Sequence, residues 1–353
     1  MTPIPFVDLA GRHAQHGPEV EQRVLDVLRS GHYVGGPIVA EAEAIAARLL
    51  GRRAAVGVSS GTDALMLALQ AVGVAPGDEV IVPALSFFAT AGAVLALGAT
   101  PVVADVDDMG LLDPDDAALA RTERTKAVVP VHLFGSRSPT PDLGVPVVDD
   151  ACQAVGATPA CSTGVLSAVS TYPTKLWGAA GDGGFVVGDD AELLDRVRAL
   201  GHHGTIGPHL HDRPVPAWAG RNARLDALQA AVLVGRAPHL EATLARRRAR
   251  VARYDAGLPS GVHALPRTQG SPASPYVVRT SRRDAVLQAL HDAGIGASVY
   301  YPRSLAAQPA LGPGQRPTPR ADALSAELLA LPLHDTTTDA DVDRVLRALT
   351  VTG

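Results

Sequence analysis

The chain has 353 residues, enough to bury a substantial core and to form one large domain with a smaller one beside it. Apolar residues make up 46% and charged residues 19%, an ordinary globular composition, and the net charge of −5 gives no electrostatic reason to expect a nucleic-acid partner. No apolar run approaches the roughly 18 residues of a bilayer span, so a membrane partner is not expected either.

Cys152 and Cys161 are too few for a disulfide framework and lack C-x-x-C spacing, which fits a reduced compartment. The stretch Met1 to Phe6 has neither a basic nor an apolar leader region, so the chain reads as cytoplasmic.

From about residue 20 to residue 235, short apolar runs alternate with amphipathic helical patterns, the signature of βαβ units and a largely parallel sheet. Strands are expected over 54–58, 79–82, 100–106, 127–132, 146–149, 165–171 and 184–187, with helices over 62–72 and 89–97. A long helix is expected over 225–253. Its basic run, Arg246 to Arg253, reads as a solvated or subunit-facing surface. Beyond it, a strand over 276–279, a helix over 281–293, a strand over 297–301, a proline-rich loop over 302–319 and a helix over 339–349 read as α+β. The fold class is therefore α/β, with a large domain over 1–240 and a small one over 241–353.

Three places carry chemistry. Ser59-Ser60-Gly61-Thr62 ends a strand and opens a helix, so free N–H groups and the positive helix end converge where a phosphate can bind. The plainer alternative is that Ser60 or Thr62 only caps the helix. Asp149 and Asp150 stand at the carboxyl end of a buried strand, where ligands sit in open α/β sheets; each also reads as an N-cap for a segment starting at Ala151. An acid buried there needs a cation, and a protonated pyridine nitrogen is one. Lys175 lies between a β-type run and the glycine-rich Gly178-Ala179-Ala180-Gly181-Asp182-Gly183-Gly184, well placed to put an amine into a cleft. No G-x-G-x-x-G fingerprint is present, which argues against a nicotinamide-dependent sugar oxidoreductase.

Nearly end to end, the chain resembles the DegT/StrS-type sugar aminotransferases, pyridoxal-phosphate (PLP) enzymes of fold type I. The matching stretches include Gly61-Thr62-Asp63-Ala64-Leu65, Pro76-Gly77-Asp78-Glu79-Val80, Ser86-Phe87-Phe88-Ala89-Thr90 and Val131-His132-Leu133-Phe134-Gly135. Further on they include Asp150-Ala151-Cys152-Gln153-Ala154, Pro173-Thr174-Lys175, Gly220-Arg221-Asn222-Ala223-Arg224-Leu225 and Leu331-Pro332-Leu333-His334.

The resemblance implies that Lys175 is the Schiff-base anchor and proton shuttle and that Asp150 pairs with the pyridine nitrogen. It places Gln153, one helical turn after Asp150, near the cofactor phenolate, and stacks Phe87 on the pyridine face, where the alternative is a core Phe. Gly61, Thr62 and Ser170 match the phosphate cup. Asn222 matches a residue that reaches the neighbouring subunit's phosphate, which implies a homodimer with shared sites. The implied reaction moves an amino group from L-glutamate to a nucleotide-linked ketosugar, with 3-keto favoured over 4-keto, in deoxyaminosugar biosynthesis. The Ala- and Arg-rich composition points further to antibiotic glycosylation. A PLP-binding regulatory homologue without turnover is the rival on the same fold.

Three features depart from the family pattern or stand outside it. The loop over 157–164 is short, Val169-Ser170-Thr171 replaces Phe-Ser-Phe, and Ala306 stands where the family has a substrate-side His. His202, His203, His209 and His211 lack carboxylate or thiol ligands at metal spacing, so no metal is expected, and 209–218 reads as a loop at the nucleotide-sugar entrance. Arg224 reads equally as a helix-cap ion pair or a contact to a substrate carboxylate.

Overall fold

Residues 2–160, 162–205 and 219–350 are described in a computed structural model. Among them, seven strands line up as β3-β2-β4-β5-β6-β7-β1. The strands are β1 Ala54–Val58, β2 Glu79–Pro83, β3 Thr100–Ala104, β4 Thr125–Val128, β5 Val148–Asp150, β6 Leu166–Ser170 and β7 Gly184–Gly188. β3, β2 and β4 pair parallel, as do β5 and β6; parallel bridges Val128↔Val147 and Val131↔Asp150 join the two halves. β7 alone runs antiparallel to both its neighbours. The expected, largely parallel α/β sheet is therefore present, with one reversed strand.

All residues of β2, β5, β6 and β7 are buried, because helices cover both faces of the sheet and leave no polar side for alternation. α3 (Gly61–Ala71) buries eight residues, including Leu65, Leu67 and Leu69. β4 stops short of the expected residue 132. Past Pro130 the chain leaves β2 for β5, Asp150 N–H donating to Pro130 O and His132 N–H to Asp150 O.

Two N-terminal helices escaped the sequence reading: α1 (Leu9–Ser30) and α2 (Pro37–Leu49). Gly17-Pro18 interrupts the α1 pattern, and His16 has non-helical backbone angles there. The single helix expected over 225–253 is two, α7 (Ala227–Arg236) and α8 (Leu240–Gly257), separated by a 3-10 turn at Pro238, which has no N–H to continue the ladder.

The basic run on α8 is not merely a solvated face. Arg247 is buried and donates to the carbonyls of Pro272, Ala273 and Leu333, and burial pushes its pKa down to about 10.

In the C-terminal region β8 (His263–Ala264), β9 (Tyr276–Arg279) and β10 (Leu328–Leu331) form a three-stranded antiparallel sheet with β9 at its centre. The strand expected over 297–301 reduces to one bridge, Ser298 with Ala330 of β10 (Leu328–Leu331). Tyr254 and Tyr276 stack at 4.7 Å in the core of this region. Ile4 joins that core from the N-terminus, paired with Gly294 and Gly296. Leu305, Leu324 and Leu328 instead pack into the main core, so the C-terminal region is buttressed against the sheet.

Candidate active site

β1, β2, β5 and β6 all deliver their carboxyl ends to one edge of the sheet. The connections leaving that edge surround a cavity of about 450 Å3. Gly61, Thr62, Phe87, Asp150, Gln153, Ser170 and Lys175 all line it. Asn222 does not. It is exposed, bridges His202 in the backbone, and accepts from Arg224 Nε at 3.0 Å.

Asp150 closes β5 and is 6% exposed. Thr90 Oγ1 donates to its Oδ2 at 2.8 Å, Ser86 Oγ stands 2.7 Å from Thr90 Oγ1, and Cys152 N–H reaches Oδ1 at 3.2 Å. No helix begins at Ala151, so neither acid is the N-cap considered from sequence, and Gln153 sits in a turn rather than one helical turn on. Among the described residues Asp150 forms no ion pair. A buried carboxylate without a cation leaves room for a ligand that brings one.

Asp149, pointing the other way, is occupied internally. Thr163 N–H, Gly164 N–H and Ser167 Oγ donate to it at 2.6, 2.7 and 2.8 Å, and His132 Nε2 stands 3.5 Å away. Ser138 N–H donates to His132 Nδ1, which leaves the ring proton on Nε2, facing Asp149.

At the start of α3 Ser60 is the N-cap, its hydroxyl accepting from Asp63 N–H at 3.0 Å. Thr62 has no capping role there. The N–H groups of Gly61 and Thr62 meet no acceptor among the described residues, and both face the cavity beside Ser170. An added Cβ at Gly61 would lie 2.7 Å from Ser170 Cβ and 2.9 Å from Cys152 Sγ, so only glycine lets this helix start approach β6. Two free N–H groups and a hydroxyl at a helix N-terminus fit a phosphate. Burial and the adjacent Asp150 push the Cys152 thiol well up, so it stays neutral.

Lys175 sits on the turn between β6 and β7. Its N–H donates to Tyr172 O at 2.8 Å, and its carbonyl accepts from Arg12 Nη1 at 2.9 Å. On the other side of the turn, Arg236 Nη1 reaches Gly178 O and Ala179 O, and Trp177 Nε1 donates to Leu233 O at 2.9 Å. An added Cβ at Gly178 would meet Pro173 O at 2.6 Å, which explains a glycine there.

Phe87 is 60% exposed at the cavity mouth, so the core-Phe alternative fails. Its ring centroid lies 6.3 Å from that of Tyr301. Gln153 Oε1 accepts from Phe134 N–H at 2.6 Å and its Nε2 donates to Tyr301 Oη at 3.3 Å. Burial, offset in part by that hydrogen bond, pushes the Tyr301 hydroxyl up.

Arg12, Thr90 and Tyr301 were given no role from sequence. Ser86 and Thr90 meet because Ser86 lies in the bend before a helix that starts at Ala89, a contact that helical spacing does not announce. Arg12, on an unread helix, carried no signal. Among the described residues no group of His, Cys, Asp and Glu has metal-site geometry. His209, His211, Cys161 and the entrance loop expected over 209–218 lie outside the described residues.

A sheet of this order, with one reversed strand and the site along the strand ends, is the architecture of fold type I PLP aminotransferases. The model of the DegT/DnrJ/EryC1/StrS aminotransferase family matches residues 14–350, and the chain belongs to that family. It is 38% identical over 360 residues to a UDP-N-acetyl-3-dehydro-alpha-D-glucosamine 3-aminotransferase of Acidithiobacillus ferrooxidans, covering 98% of this chain and 96% of that protein. It is 34% identical over 362 residues to a UDP-2-acetamido-2-deoxy-3-oxo-D-glucuronate aminotransferase of Pseudomonas aeruginosa, covering 98% and 99%. The crystal structure of Streptomyces venezuelae DesV with a ketimine intermediate superposes with a TM-score of 0.92 at 36% identity, covering 99% and 98%. The chain is thus a sugar aminotransferase, and its cofactor is PLP.

Proposed function

We propose that the enzyme transfers an amino group from L-glutamate to a 3-oxo sugar carried on a nucleotide, as a homodimer with shared active sites. The observation that carries this reading is Lys175 on the wall of the cavity that also holds Asp150, a buried acid without an ion-pair partner among the described residues. The 3-oxo sugars in the names of the A. ferrooxidans and P. aeruginosa relatives support the ring position.

In this reading the Gly61 and Thr62 N–H groups and the Ser170 hydroxyl hold the cofactor phosphate, and Asp150 holds the proton on the ring nitrogen. When bound, PLP supplies a reactive aldehyde and an electron-withdrawing ring, which store the amino group between half-reactions. Phe87 at the mouth would cover the cofactor ring, and Gln153, fixed by Phe134 and Tyr301, would serve its phenolate side. The Lys175 amine moves the proton at the donor's α-carbon in one half-reaction and at the sugar carbon in the other. Asn222, exposed on its own chain, would serve the cofactor phosphate of a second copy.

The test is the visible spectrum of the purified enzyme. L-glutamate should bleach the cofactor band, and a nucleotide-linked 3-oxo sugar should restore it with amination at C3. A band that no amino donor bleaches, or that is unchanged in Lys175→Ala, would sink the reading.

A further inference from the structure

Arg12 joins three parts of the chain that are far apart in sequence. It lies in the first turn of α1 and is 7% exposed. Its Nη1 donates to Pro173 O at 2.7 Å and to Lys175 O at 2.9 Å, while Nε and Nη2 face the two carboxylate oxygens of Asp335, in the segment after β10. The α1 start is tied to that same segment, because Thr336 Oγ1 donates to Asp8, the N-cap of α1.

We propose that Arg12 is a positioning residue for Lys175, and that Asp335 sets Arg12 so that the lysine turn is coupled to the C-terminal region. The proposal rests on the assignment of Lys175 above.

The backbone on both sides of the Lys175 Cα is pinned, its N–H by Tyr172 O and its C=O by Arg12. That fixes the direction in which the side chain leaves the turn. A planar guanidinium can bridge two carbonyls and a carboxylate at once; a lysine ammonium has no such fork. Arg236 pins Gly178 and Ala179 from α7, within the main body. Of these two arginines, among the described residues, Arg12 is the one in direct ion-pair contact with the C-terminal region, which also supplies Tyr300, Tyr301 and His334 to the cavity wall. A rigid amine is what proton transfer at a fixed carbon requires, since a misplacement of about 1 Å costs on the order of 100-fold in rate.

The experiment compares Arg12→Met, Arg12→Lys and Asp335→Asn in the full chain. In the cofactor-free protein, hydrogen exchange of the 172–180 amides should quicken about tenfold or more in Arg12→Met, with exchange across β1, β2 and β6 unchanged. In the loaded enzyme kcat should fall roughly 10- to 100-fold, while KM for the sugar stays within about twofold. Asp335→Asn should move both quantities the same way by less, and Arg12→Lys should fall between wild type and Arg12→Met. Unchanged exchange at 172–180, or a loss of protection spread evenly over the chain with kcat intact, overturns the proposal. If Arg12→Met does not accumulate as folded protein, Asp335→Asn decides by the same two measurements. Wild-type colour and turnover in Lys175→Ala would instead refute the assignment of Lys175, whatever the Arg12 variants do.

Discussion

Thr90 holds Asp150: its hydroxyl donates to Oδ2 at 2.8 Å, with Ser86 Oγ 2.7 Å behind it, all three residues buried. Thr90→Val keeps the shape and removes the donor, leaving Asp150 with the longer Cys152 contact. A hydrogen bond to a charged group contributes about 1.5–3 kcal/mol, so kcat should fall roughly tenfold or more. Steady-state kinetics with a melting temperature on the same sample checks this. Unchanged kcat would mean that Asp150 needs no help from Thr90.

Gly61→Ala should loosen the cofactor without unfolding the chain. The new methyl group would sit 2.7 Å from Ser170 Cβ and 2.9 Å from Cys152 Sγ, so the start of α3 must back away from β6. Displacing the Gly61 and Thr62 N–H groups should raise the PLP dissociation constant on the order of 10- to 100-fold, as read by titrating cofactor-free enzyme. Wild-type affinity would remove the α3 start from the phosphate site.

The proposal of shared sites carries a mixing prediction. Asn222→Ala and Lys175→Ala should each be nearly inactive. Co-refolded in equal amounts, they should recover about a quarter of wild-type activity, because half the dimers are mixed and each has one intact site. No recovery, with mixed dimers demonstrated, would place Asn222 on its own chain's site or on none.

Asp149 sets a limit at acid pH. Burial alone would raise its pKa, but the His132 ring N–H facing it and the hydrogen bonds from Gly164 and Ser167 prevail and hold it low. Because the folded value lies below the unfolded one of about 3.9, its stabilisation is complete above that pH. It is lost as the pH falls through the folded value. Asp149→Asn should cost about 2–4 kcal/mol at pH 7 in urea unfolding, a penalty that shrinks below about pH 4. A penalty that stays flat on acidification would contradict this.

The parts of the site legible in sequence were those held by strand ends. The apolar runs put the strand ends at 58, 149 and 171, within one residue of Val58, Asp150 and Ser170, while the role of Ser170 itself came from the family resemblance. Arg12 was illegible for the converse reason: its partners, Pro173 O, Lys175 O and Asp335, come together only after both ends of the chain have packed against the turn. Arg247 failed differently. Its neighbours in sequence are charged and its partners are three backbone carbonyls, which leave no mark on the side-chain pattern. The strand expected over 297–301 has the right residues but only Ala330 to pair with, and composition cannot say how much of a sheet edge is available.

The reversed direction of β7 reaches beyond topology. A parallel β7 would have required a crossover running the length of the sheet, with its turns at the opposite edge. An antiparallel β7 lets the chain leave β6 at Ser170 and enter β7 at Gly184 without quitting the catalytic edge. Lys175 therefore rides on a short bridge moored at both ends to the floor of the cavity. Lengthening that bridge would push the amine into the substrate's space. Phe6 and the Tyr300–Tyr301 stretch line the cavity from outside that bridge, so side-chain changes there reshape its walls without altering the span that carries the amine.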